Sequence, residues 1–179
     1  MSACSGAGPG MARAAMTHAA GFAPVSAPDA RVLVLGTLPG PMSLQMGQYY
    51  AQPRNAFWRA MAPLTGVAAD SDYAARLDGL LKQRIALWDV CAAAVRPGAL
   101  DASIVPDSVQ VNDFAAFFMA HTQVRLIAFN GATAARLFVR HGVAVPDGVR
   151  LVTLPSSSPA HAAMTVVEKV RVWGEALQS

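Results

Sequence analysis

Two tyrosines, two glutamines, an arginine and an asparagine stand in one run, Gln48-Tyr49-Tyr50-Ala51-Gln52-Pro53-Arg54-Asn55. An aromatic face can stack on a planar ring, and a carboxamide both donates to and accepts from a ring edge. The run therefore carries the means of holding a nucleic-acid base. It would serve equally as aromatic packing, and Phe57 and Trp58 just beyond suit a core. A second amide, Asn130, precedes Gly131, a residue that lets a ligand approach the main chain. Capping the following helix is the other use of Asn130. Farther on, Pro155-Ser156-Ser157-Ser158-Pro159-Ala160 offers three hydroxyls. Hydroxyls and helix-start N–H groups suit phosphate oxygens, although a Ser/Pro helix cap has the same composition.

Gly36-Thr37-Leu38-Pro39-Gly40 looks at first like a phosphate loop. Neither GxGxxG nor GxxxxGK[ST] is present, and Pro39 and Pro41 remove two N–H donors that a phosphate cradle would use. A small nucleotide-binding protein is thus the least favoured class. Asp89 follows a run of apolar residues, where it could face a ligand, cap a helix or pair with an arginine such as Arg96. His161 reads as solvated.

These residues need a frame. RVLVLG (31–36), RIALWDV (84–90), VRLIAF (124–129) and VRLVTL (149–154) are nearly continuous apolar runs, which predicts strands of a parallel sheet buried on both faces. Helical spacing predicts helices at 55–61, at 70–82 capped by Asp70 or Ser71, at 108–121 capped by Ser108, at 132–141 and at 160–178. Strands alternating with helices give an α/β fold: three layers, α/β/α, around a central, mainly parallel four-stranded sheet. In such sheets ligands bind beyond the carboxyl ends of the strands, and all four unusual loops fall there. The strandless stretch 37–53 is longer than a turn requires and reads as a functional loop.

The length of 179 residues suits one domain, 25–179, after a flexible tail over 1–24. With 54% hydrophobic and 14% charged residues, general disorder is excluded, and no apolar run is long enough to span a membrane. The net charge of +3 permits an anionic partner without demanding one. Cys4 and Cys91 are too few for an iron–sulfur cluster, and the four histidines lack metal-ligand spacing, so neither metal nor cofactor is expected. No secretory signal is evident in the Ala- and Gly-rich start, where Met11 is a candidate true beginning. A reduced, cytoplasmic monomer is expected.

Taken together, LGTLPGPMSLQMGQYYAQPRNAFW (35–58), ALWDV (86–90), AFNG (128–131) and LPSSSPA (154–160) resemble the uracil-DNA glycosylase superfamily, most closely its hypoxanthine-DNA (deoxyinosine) glycosylase branch. The resemblance covers residues 32–160. It implies an enzyme that flips a deaminated base, hypoxanthine or uracil, from damaged DNA and hydrolyses its N-glycosidic bond. Gly36, Thr37, Leu38, Pro39 and Gly40 then form the first motif. Its third position is Asn in the mismatch-type enzymes, where it positions water, and Asp in other uracil enzymes; here Leu38 can do neither. In the hypoxanthine branch the amide comes from the HPRN-like segment, which makes Asn55 catalytic, with Asn130 as the second amide. Tyr50 takes the place of the aromatic that stacks on the base, Asp89 lies in a base-reading segment, and Ser156, Ser157, Ser158, Pro159 and Ala160 contact DNA. Gln52 stands where the pattern has His, and CAAAVRPGALDASI lacks charges of the REGSLD-like stretch. With no Lys in these motifs, a monofunctional glycosylase is implied rather than a lyase. A non-catalytic lesion-binding module on the same fold is the competing class.

Overall fold

The computed structural model describes residues 18–178; Cys4 and Met11 lie outside the described residues. The chain runs β1 (His18–Ala20), β2 (Val32–Gly36), α1 (Pro41–Met46), α2 (Phe57–Thr65), α3 (Tyr73–Lys82), β3 (Ile85–Asp89) and β4 (Cys91–Val95), and then β5 (Gln110–Val111), α4 (Phe114–Ala120), β6 (Leu126–Asn130), α5 (Ala132–Arg140), β7 (Arg150–Leu154) and α6 (Val166–Gln178). Short 3-10 turns cover Asp101–Ser103 and Pro106–Ser108.

The four apolar runs pair as one parallel sheet in the order β3-β2-β6-β7. Alternate strand residues feed two cores. Val34, Leu87 and Ala128 meet Phe57, Met61, Leu80 and Trp173 from α2, α3 and α6. On the other face Leu33, Leu35, Ile127 and Phe129 meet Phe114, Phe117 and Phe138 from α4 and α5. Three layers result, as the alternation of elements requires. The edge strand β7 is the exception to two-sided burial, since most of its residues reach solvent and Leu151 is exposed.

Strand order makes the chain leave β2 toward β3 on one side and β6 toward β7 on the other. The crevice beyond the carboxyl ends of β2 and β6 is therefore the topological switch point, where open α/β sheets take their ligands. Gly36 ends β2 and Asn130 ends β6.

Several expectations need correction. Residues 18–24, assigned to the tail, are tied to the domain: β1 pairs with β4, Gly21 N–H donates to the Ala92 carbonyl, and Trp88 Nε1 donates to the Phe22 carbonyl. The stretch 37–53 contains α1, which starts with Pro at the first helical position. A second, antiparallel sheet β1-β4-β5 was not expected, because its strands are Ala-rich or only two residues long. Asp72 stands at the start of α3, without a side-chain bond, in place of Asp70 or Ser71. Asp113 caps α4, accepting from Ala116 N–H, while Ser108 accepts from Val95 N–H instead. The last helix begins at 166, not 160, behind a reciprocal box in which Thr165 Oγ1 accepts from Glu168 N–H and a Glu168 carboxylate oxygen accepts from Thr165 N–H.

Candidate active site

The parallel register puts Gly36 beside Asp89, and both side-chain space and polarity converge there. A Cβ at Gly36 would collide with Asp89 Oδ1 and stand 2.8 Å from the Tyr50 hydroxyl. Only glycine leaves room for these two groups over the end of β2. Tyr50 itself holds a left-handed backbone, φ 53°, a conformation that costs a non-glycine residue about 1–2 kcal/mol. Its ring stacks on Phe57 at 4.0 Å and 21°, and Phe57 in turn meets Trp173 edge-on. The hydroxyl is sealed and close to the Asn130 amide, without a hydrogen bond of good geometry, whereas the residue as a whole is part-exposed. Burial, with Asp89 nearby, pushes the hydroxyl well above its ordinary range, so it stays protonated.

Asn130 is buried and its amide is fully directed: Oδ1 accepts from Ser157 N–H at 2.7 Å and Nδ2 donates to Ser157 Oγ at 2.8 Å. It does not cap α5, which begins after Gly131. Ser157, expected to face phosphate, is turned inward and 1% exposed. Ser156 and Ser158 stay part-exposed, Pro159 and Ala160 are exposed, and the loop precedes α6 by several residues, so no helix N-terminus supports it. Ser156 Oγ accepts from Ser158 N–H, and Ser158 Oγ from Ala160 N–H.

Asn55 sits at the start of α2, where its Oδ1 accepts from Phe57 N–H at 2.9 Å. That local bond fixes the side chain and leaves Nδ2 as a donor. The Ser157 carbonyl accepts from Ala56 N–H next door, so the Asn55 and Asn130 loops share one anchor. Tyr50 and Asn55 line a common cavity that also touches Gln48 and Gln52, but Asn130 does not line it. Tyr50, Asn55 and Asn130, which the resemblance assigns to one site, are therefore joined through Ser157 and the Tyr50 ring rather than by a single void. Gln52 turns its Oε1 back onto Arg54 N–H, occupying the place of the expected His with a local turn.

Asp89 is neither a helix cap nor an arginine partner. Its Oδ2 is buried without a hydrogen bond, and burial, helped by Asp101 and opposed by Arg96, pushes the carboxyl up to about 8. At neutral pH it is mostly a neutral acid, able to donate. Arg96 is spent elsewhere, donating to the Leu38 carbonyl at 3.2 Å and the Pro39 carbonyl at 2.6 Å, with Asp101 Oδ1 at 3.5 Å. It fixes the first-motif loop from below. Leu38 and Pro39 are buried, Gly40 opens α1 by accepting from Leu44 N–H, and Thr37 accepts from Cys91 N–H through its carbonyl.

Sequence reasoning missed Arg96 as an anchor and missed Lys169 entirely. Lys169 is 3% exposed, and its Nζ donates to the carbonyls of Ser158 and His161 at 3.1 and 2.8 Å. Trp173 Nε1 donates to the Pro155 carbonyl, so α6 grips the serine loop at both ends. A lysine within the apolar stripe of Val166, Val170, Trp173 and Leu177 was the available signal.

The switch point of this α/β sheet thus gathers a backed aromatic ring, two fixed amides and a buried carboxyl. The uracil DNA glycosylase superfamily model matches residues 23–176, and the chain belongs to that superfamily. A curated relative from Methanosarcina acetivorans, named hypoxanthine DNA glycosylase, is 36% identical over 143 residues, 79% of this chain and 87% of its own. Another of that name, from Methanosarcina barkeri, is 37% identical over 112 residues, 62% of this chain and 70% of its own. A solution NMR structure of a candidate uracil DNA glycosylase from M. acetivorans superposes with TM-score 0.71 at 32% identity, covering 91% of this chain and all of that one. The protein is a DNA glycosylase, and the non-catalytic alternative is not favoured. Among the described residues no helix is long and apolar enough to cross a membrane.

Proposed function

We propose that this glycosylase removes hypoxanthine from DNA by hydrolysing the N-glycosidic bond of a flipped deoxyinosine. The observation that carries the reading is the convergence over Gly36 of the Tyr50 hydroxyl and the Asp89 carboxyl, with Asn130 close by. The relatives named hypoxanthine DNA glycosylase support the choice of base.

Flipping costs a few kcal/mol and is easiest for a mispaired base. With Phe57 behind it, the ring of the part-exposed Tyr50 offers a stiff platform, and stacking returns about 1–3 kcal/mol. As the glycosidic bond breaks, its electron pair passes to the base and positive charge grows on the sugar. Neutral donors at the base edge, the Asp89 acid and an amide, stabilise the departing anion without reorganising. Asn55 Nδ2 and the spare lone pair of its hydrogen-bonded Oδ1 orient the attacking water. Water adds to the anomeric carbon, its proton ends on the released base, and an abasic site remains. Lys169 donates to two carbonyls beneath the serine loop, which does not suit a Schiff base.

The test is a panel of labelled duplexes carrying hypoxanthine, xanthine or uracil, treated with the protein and then with hot alkali. Cleavage strongest at hypoxanthine is expected. Preference for uracil would reassign the substrate, and intact strands throughout would defeat the reading.

A further inference from the structure

A cavity of about 120 Å³ opens against the 48–55 loop and the first turns of α2 and α3. It shares Tyr50 and Asn55 with the candidate active site but touches none of Gly36, Asp89, Asn130 or Ser157. Its lining includes Arg59, Arg76 and the amides of Gln48, Gln52 and Asn55, and it contains no carboxylate. Two cations and several amide donors with nothing acidic describe a receptor for an oxyanion.

Arg76 is the built element. Its guanidinium carbon lies 4.6 Å from the centroid of the Trp58 ring and 5.4 Å from that of Tyr73. Both rings are locked: Trp58 Nε1 donates to the Tyr49 carbonyl at 3.0 Å, and Tyr49 N–H donates to the Tyr73 hydroxyl at 2.9 Å. A guanidinium held over aromatic rings keeps N–H groups for a second partner. Its Nε is buried without a hydrogen bond. Among the described residues, Arg84, Arg96, Arg140 and Arg171 each have a carboxylate partner, while Arg54, Arg59 and Arg76 form no ion pair. Burial disfavours the charge on Arg76, and no acid offsets it. Arg59 spends one N–H on the Pro53 carbonyl at 3.3 Å, which holds it beside the same loop.

We propose that this cavity is a second phosphate subsite, in which Arg76, with Arg59, takes a phosphodiester of the strand flanking the flipped nucleotide. The proposal rests on the glycosylase reading and adds to it. The resemblance assigns one backbone contact to the serine loop, and the Arg76 cavity supplies another across the Tyr50 loop. Tyr49 couples this subsite to Tyr50, because the platform beneath Arg76 is hydrogen-bonded to the neighbouring residue of the base-stacking ring.

The experiment measures the affinity of the full chain for a fluorescein-labelled duplex with one deoxyinosine, across a salt series. Wild type, Arg76→Gln, Arg76→Lys and Arg59→Gln are compared, with Arg140→Gln as a control outside the site. Each phosphate contact contributes about 0.9 to the slope of log affinity against log salt. Arg76→Gln is expected to weaken binding by about three- to tenfold near 0.1 M salt and to lower that slope by about one. Arg76→Lys should keep the slope and lose only part of the affinity, since it retains charge but not the guanidinium's several N–H donors. If Arg76→Gln does not fold, Arg59→Gln carries the same comparison. Wild-type slope and affinity in the glutamine variants, or an equal loss in Arg140→Gln, would overturn the subsite. Added inorganic phosphate distinguishes sources: stabilisation of wild type by phosphate, with DNA affinity unchanged in Arg76→Gln, would assign the cavity to a free anion and refute the DNA contact. Wild-type excision is scored in the same samples, so failure of the glycosylase reading shows separately as absence of abasic product.

Discussion

Replacing Asp89 with Asn should change how stability depends on pH, and the sign follows from its burial. The carboxyl is pushed from an ordinary 3.8 up to about 8 by burial and by Asp101. A raised acid binds its proton more tightly in the folded chain than in the unfolded one. Its stabilising contribution is therefore fully present below about 4 and is lost as pH rises through about 8. Each pH unit in that window is worth about 1.4 kcal/mol, so the ceiling is roughly 6 kcal/mol, reduced by whatever relaxation admits water. Asn resembles the neutral acid in shape and does not titrate. Urea unfolding of both proteins at pH 5, 7 and 9 isolates the effect, because all other groups cancel in the difference. The variant should lead by no more than about 1.5 kcal/mol at pH 5, and the lead should grow to several kcal/mol at pH 9. A difference that does not vary with pH, or one that grows in favour of wild type, would refute the buried neutral acid.

Tyr50→Ala should erase most of the preference for lesion over undamaged duplex, by about 1–3 kcal/mol of stacking, and an unaltered preference would make the ring mere packing. Asn130→Ala leaves Ser157 N–H without its acceptor, so urea unfolding should register a loss of about 1–3 kcal/mol. Lys169→Met should loosen the 155–161 loop, seen as faster amide hydrogen exchange there and weaker DNA binding, whereas wild-type exchange would deny the clamp.

Where continuous apolar character specified a strand, the sequence was enough: VLVLG, IALWD and LIAFN pair as expected. The strand CAAAV escaped notice because alanine carries little strand preference, and its pairing with β1 and β5 is a tertiary fact. Helix α1 was hidden in a loop whose prolines were weighed only as missing N–H donors, although Pro41 stands where proline suits a helix. The start of α6 was marked by the Thr165–Glu168 spacing and overlooked for Pro159. Loop residues at the carboxyl ends of strands pointed to the site, yet their partners did not follow from type. That Asn130 would hold Ser157, and that Arg96 would serve the Leu38 and Pro39 carbonyls instead of Asp89, depends on which elements the fold brings together. Lys169 shows the same limit, since one charged residue in an apolar stripe finds its two carbonyls only after the serine loop has folded over it.

Release of hypoxanthine under single turnover tests the assignment most directly, with the freed base identified by chromatography and the strand break counted after alkali. Wild type in excess over a deoxyinosine duplex should yield free base and abasic strand in equal amounts, and Asn55→Ala should slow this by about 10²-fold or more while still binding the duplex. No base released by wild type, or an Asn55→Ala rate equal to it, would contradict the catalytic site described above.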